Sequence, residues 1–91
     1  MGGCRQQVTI VNQRGLHARA SAKFVGVASE MDGCTVKVAK DGNEALGTSI
    51  LGLMMLGAAK GDTIEIICDG EAEQDRLVEL VTLVEDGFGE S

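Results

Sequence analysis

Aromatic side chains are almost missing from this chain: it has two phenylalanines, no tryptophan and no tyrosine. Stacking on nucleobases, on which single-strand readers depend, is thereby almost unavailable. Basic residues are also scarce, 8 Lys and Arg against 14 Asp and Glu, for a formal net charge of −6. That balance repels phosphate backbones and anionic lipid, so neither nucleic acid nor a membrane is the expected partner. A basic protein partner suits it better. There is a single histidine, and the three cysteines, Cys4, Cys34 and Cys68, show no CxxC spacing. That set makes no metal site. The reading is reduced thiols in a cytoplasmic protein, with Cys34 and Cys68 as small core residues. No apolar run is long enough to span a bilayer. The opening "MGGCRQQ" lacks an apolar signal region, and Gln6 breaks the myristoylation pattern. Residues 1–6 read as a flexible tail and 7–88 as one domain, about the size that a single core supports.

What is present is strongly periodic. "QVTIVN" alternates, with Val8 and Ile10 on one face and Thr9 and Val11 on the other, as in a strand. "HARASAKFVGVASEM" changes to helical spacing, with Ala20, Phe24, Val27, Ala28 and Met31 in one stripe. Gly26 costs that helix about 1 kcal/mol of propensity, so it depends on packing. "CTVKVAK" alternates again. "DGN" at Asp41–Asn43 is a hairpin signal, because Gly42 accepts positive φ, and "EALG" is the return strand. "TSILGLMMLG" opens with Thr48 and Ser49 as a capping pair and stops at Gly57. "DTIEIICDG" sets Ile64, Ile66 and Cys68 on one face. "EAEQDRLVELVTLVEDG" is a helix whose stripe is Leu77, Leu80, Val81 and Val84. Acidic residues crowd its first turn, where the dipole favours them, and Gly87 ends it. The order β-α-β-β-α-β-α predicts an α+β fold: a four-stranded, mainly antiparallel sheet with three helices on one face and water on the other.

The lone histidine, His17, stands in "NQRGLHARASAKF" at the mouth of the first helix. Neutral imidazole is a nucleophile near pH 7, and attack on a phosphoryl donor yields a dianionic phosphohistidine. A helix N-terminus steadies such an anion by roughly 0.3–2 kcal/mol through amides that have no partner inside the helix. Ala18 would supply one of these amides. Arg19 lies in reach for charge-assisted bonds, and Arg14 is a second cation from the loop. By spacing alone, a lone histidine before a helix is more often a polar cap or a surface residue. A Ser-His-Asp hydrolase has no GxSxG here, and a sheet with one open face leaves little room for an enclosed pocket.

The second feature is "SILGLMML", apolar almost all round. A short helix buries one stripe, Leu53 and Leu56 with a neighbour, which leaves Ile50, Leu51 and Met54 over. Such a patch is either a wedge in the core or a partner surface, for which methionine is well suited.

"GLHARASAKF" followed by "TSILGLMMLGAAKGDTIEI" resembles the HPr-type phosphocarrier proteins of the bacterial phosphoenolpyruvate-dependent phosphotransferase system. The likeness runs from Gln7 to Phe88. The "LMML" helix and the "EDGFGE" ending are closer to the nitrogen-related branch than to the sugar branch. The resemblance implies an open-faced β-sandwich. It implies that His17 takes a phosphoryl group on Nδ1 from the phosphorylated first enzyme of the system and passes it to a IIA-type protein. Arg19 matches the phosphate-assisting arginine. Ser49 matches a regulatory serine modified by a dedicated kinase and phosphorylase. Ile50, Leu51 and Met54 match the helix that partners grip. A monomeric, cofactor-free relay, not an enzyme with turnover, is the implied role. The family often has proline where this chain has Ala20, which alters the pre-organisation of the first turn but removes no chemistry. The competing class is a binding-only regulator that acts through the apolar helix 49–56.

Overall fold

A computed structural model describes residues 3–90. Its elements are β1 (Cys4–Thr9), α1 (Ala18–Ala28), β2 (Cys34–Lys40), β3 (Asn43–Leu46), α2 (Ile50–Met55), β4 (Thr63–Gly70), α3 (Glu73–Glu85) and a 3₁₀ turn at Gly87–Gly89. The strands lie in the order β1-β4-β2-β3, and every pairing is antiparallel. The connection from β2 to β3 is a two-residue turn. Asp41 and Gly42 both take positive φ, 52° and 84°, the twist that a tight hairpin requires.

Alternation decides which face is covered. Val8 and Ile10, Val36 and Val38, and Ile64, Ile66 and Cys68 all turn inward and are buried. Phe24 and Ala28 of α1, Leu53 of α2 and Leu77, Leu80, Val81 and Val84 of α3 meet them there. The opposite face is polar, with Arg5, Thr35, Lys37, Glu44 and Asp69 grouped around Ile67. Ile67 is nonetheless buried, because these long side chains shield it on a face that otherwise meets water. This is the open-faced β-sandwich, and its three helices share one side.

Two boundaries differ from the reading above. Cys4, Arg5 and Gln6 are not a tail: they begin β1 and pair with Cys68, Ile67 and Ile66. The Cys4 thiol also lies within hydrogen-bond reach of two acceptors, Glu73 at 3.2 Å and Gln74 at 3.1 Å. An edge strand is held by backbone bonds along one side, so its polar side chains do not exclude it. Met1 and Gly2 lie outside the described residues. The first helix closes at Ala28, and Met31 is buried from the turn that follows.

Candidate functional site

The loop ahead of α1 is pinned before the histidine is reached. Asn12 is buried, and its Nδ2 donates to the Gly15 carbonyl at 2.9 Å. Gly15 has φ +63°, and a Cβ there would collide with the Ala58 carbonyl. Both the sign of φ and the close approach demand glycine. Leu16 then turns into the core, and its amide donates to the Ala58 carbonyl at 3.0 Å. With Leu16 anchored inward, the next side chain faces out, and it is His17.

His17 is the N-cap of α1. Its backbone is extended, and Nδ1 accepts from the Arg19 amide at 3.3 Å. The first turn carries no acidic residue, so no carboxylate within the helix offsets the positive end of its dipole. The contrast is α3, which opens with Glu73 and Asp75.

The other ring nitrogen, Nε2, lies 2.8 Å from Oε2 of Glu90. Glu90 reaches the ring through a sharp turn. Gly87, Phe88 and Gly89 all have positive φ, 64°, 59° and 72°. A bulky residue such as phenylalanine rarely takes that conformation. Here the Phe88 side chain is buried, and Lys23 Nζ donates to the Phe88 carbonyl at 2.7 Å. Oε1 of Glu90 accepts from Asn12 Nδ2 at 3.1 Å. Burial works to raise the Glu90 carboxyl, but the bonds from Asn12 and His17 and the charges of His17 and Lys23 outweigh it. The carboxyl is held below its usual range.

Arg14 from the loop and Arg19 and Lys23 from α1 line one shallow cleft with Gln13, His17, Gly89 and Glu90. Ala18 is the first residue of α1, beside the ring. The structure thus brings together His17, Ala18, Arg19 and Arg14. It adds three residues that the sequence reading missed: Asn12, Lys23 and Glu90. The glycines on either side of Phe88 were the available signal, since they allow the chain to fold back after α3. Among the described residues, no group of three or more His, Cys, Asp or Glu side chains could hold a metal ion.

Ser49 stands at a second cap. Its Oγ accepts from the Gly52 amide at 3.0 Å and starts α2. Leu53 faces the core, with Leu56 partly buried beside it. Ile50, Leu51, Met54 and Met55 are exposed, Leu51 by 68% and Met55 by 77%. Met55 belongs to this patch and was not singled out above.

Fold and cleft together define a class: small open-faced β-sandwiches that carry a histidine at the mouth of the first helix. Comparison with known proteins narrows it. The family model for the "PTS HPr component phosphorylation site" matches residues 4–86. Phosphocarrier protein HPr of Pseudomonas aeruginosa is 44% identical over 85 residues, covering 92% of this chain and 93% of that one. Phosphocarrier protein HPr of Neisseria meningitidis is 45% identical over 86 residues, covering 94% and 96%. The crystal structure of HPr-C-His from Thermoanaerobacter tengcongensis superposes with a TM-score of 0.90 at 35% identity, covering 97% and 98%. The chain belongs to the HPr family of phosphocarrier proteins of the phosphotransferase system. Among the described residues, no helix is long and apolar enough to cross a membrane.

Proposed function

We propose that His17 is the phosphoryl acceptor of a cytoplasmic relay. It is charged by the phosphorylated first enzyme of the system and discharged to a IIA-type protein, and the carrier itself has no turnover. The observation that carries this reading is the placement of His17 Nδ1 against the Arg19 amide at the start of α1, whose first turn holds no acidic residue. In the forward step the Nδ1 lone pair gives up the Arg19 amide and forms the bond to phosphorus. The donor's bond to phosphorus breaks, and its electron pair stays with the donor. The Ala18 and Arg19 amides, with the Arg19 and Arg14 guanidinium groups, receive the dianion.

The exposed face of α2 is the docking surface in this reading, with Ile50, Leu51 and Met54 as its centre. An apolar patch on so short a helix has little structural purpose of its own. Ser49 at its edge is the regulatory position, open to a serine kinase and phosphorylase. The "LMML" helix and the "EDGFGE" ending favour the nitrogen-related branch.

The test is a relay assay with labelled phosphoenolpyruvate, the first enzyme and a IIA-type acceptor. Label should pass through this protein to the acceptor and leave it unlabelled once the donor is spent. A protein that binds both partners but never carries label would be the binding-only regulator instead.

A further inference from the structure

We infer that Glu90 is a positioning residue for phosphoryl transfer: its carboxylate holds the Nε2 proton of His17, leaves the lone pair on Nδ1 and balances the charge that the ring acquires. This rests on the reading of His17 as the acceptor.

The two partners of the ring assign its tautomer. An ionised carboxylate only accepts, so Nε2 carries the proton in the 2.8 Å bond to Glu90. A backbone amide only donates, so Nδ1 presents its lone pair to the Arg19 amide. Both contacts therefore select the one neutral form that can attack through Nδ1.

The charge bookkeeping points the same way. As Nδ1 bonds to phosphorus, Nε2 keeps its proton and the ring becomes cationic. The charged groups that line the cleft with it are Arg14 from the loop, Arg19 and Lys23 from α1, and Glu90 from just past the 3₁₀ turn. The three cations favour the phosphoryl dianion but oppose a positive ring. Glu90 is the anion among them, and it offsets that opposition where the ring needs it. When the phosphoryl group moves on, the same proton remains and the ring departs as neutral imidazole. A carboxylate that steers a histidine through its far nitrogen follows the logic of the hydrolase triads.

The carboxylate is also held in place. Asn12 Nδ2 binds its second oxygen at 3.1 Å, and the amide orientation is fixed because its other partner, the Gly15 carbonyl, is also an acceptor. Phe88, buried two residues earlier, and the Lys23 bond to its carbonyl anchor the turn that carries Glu90. The depressed Glu90 carboxyl agrees with this geometry.

The test uses the full chain with Glu90→Ala and Glu90→Gln. Nitrogen-15 spectra of the His17 ring at neutral pH are read on protein that has met no donor. The native ring should show one tautomer, Nε2–H. Glu90→Ala should show a mixture, and Glu90→Gln should keep Nε2–H through its amide oxygen. Acceptance from the phosphorylated first enzyme should slow about tenfold in Glu90→Ala and by less in Glu90→Gln, which keeps the acceptor but loses the charge. A native rate in Glu90→Ala overturns the inference whatever the ring does, and so does an unmixed Nε2–H signal in that variant. Should Glu90→Ala unfold, the nearly isosteric Glu90→Gln decides by its rate alone. If the native protein takes up no phosphate, the carrier reading has failed, and the ring spectra still judge separately whether Glu90 holds the proton.

Discussion

Helices α1 and α2 begin alike and differ in everything that follows. Each is capped by a side chain that accepts a backbone amide, His17 Nδ1 from Arg19 at 3.3 Å and Ser49 Oγ from Gly52 at 3.0 Å. Neither has an acidic residue in its first turn. Around His17, however, stand Arg14, Arg19, Lys23 and Glu90, whereas Ser49 opens onto Ile50, Leu51, Met54 and Met55. The cap is the same local device in both. What surrounds it decides whether it performs chemistry or merely starts a helix. A ring among fixed charges can take and release a dianion. On the proposed reading, a hydroxyl beside exposed methionines sits at the rim of a docking surface, where added charge would be felt by a partner.

Substitutions can break this contrast. The largest effect belongs to His17→Ala, which should abolish phosphoryl uptake. The fold should survive, because the ring lies at the surface of the cleft and α1 is anchored through Phe24 and Ala28. Circular dichroism and a label-uptake assay check both halves. Next is Arg19→Ala, which on the proposed reading removes a charge-assisted bond to the phosphoryl group. It should slow transfer by an amount equivalent to about 1.5–3 kcal/mol, in both directions and at unchanged stability. Equal kinetics in native and variant would leave Arg19 a solvated surface charge.

Ser49 sharpens the contrast from the other side. Ser49→Asp keeps an acceptor at the cap, so α2 should persist, while its charge faces the apolar surface and weakens docking. Phosphate on Ser49 would add roughly −1.5 to −2 charge and act more strongly. The rate of His17 phosphorylation should fall from native through Ser49→Asp to the Ser49-phosphorylated protein. Ser49→Ala should transfer at the native rate but cost about 1 kcal/mol of stability, the usual loss of a cap. If all four forms react equally, Ser49 is a cap and nothing more.

The smallest effect is one of pH. Glu90 has a depressed carboxyl, so the folded state favours its ionised form. The stability it contributes is present above the ordinary carboxylate value of 4.5. It is lost as pH falls through the lower folded value. The gap in melting temperature between native protein and Glu90→Ala should therefore close in acid. The gap between native and Ser49→Ala should not, because a hydroxyl does not titrate there.

The two regions were not equally legible in the sequence. The apolar patch was legible because periodicity exposes it: a six-residue helix buries Leu53, so the leftover residues announce themselves. His17 stood out because it is alone. The strands Thr63–Gly70 and Cys34–Lys40 were readable for the same reason of alternation. Glu90 was not readable, because it meets His17 across 73 residues. That meeting depends on three consecutive residues with left-handed backbone, which no spacing rule encodes. Asn12 was hidden by its polarity, which looks like a loop residue although it is buried at 5% exposure. The start of β1 was misjudged because Arg5 and Gln6 are polar, and an edge strand is held by backbone pairing that side-chain pattern does not record.

The central claim, that Nδ1 of His17 carries the phosphoryl group, is tested most directly on the native protein with phosphoenolpyruvate and the first enzyme. The product should hold one phosphoryl group, labile in acid and stable in base. Mass spectrometry should map it to His17, and the ring spectra should place it on Nδ1 with the proton still on Nε2. An unmodified His17, a phosphate on Nε2, or an acid-stable phosphate at Ser49 as the sole product would contradict the account.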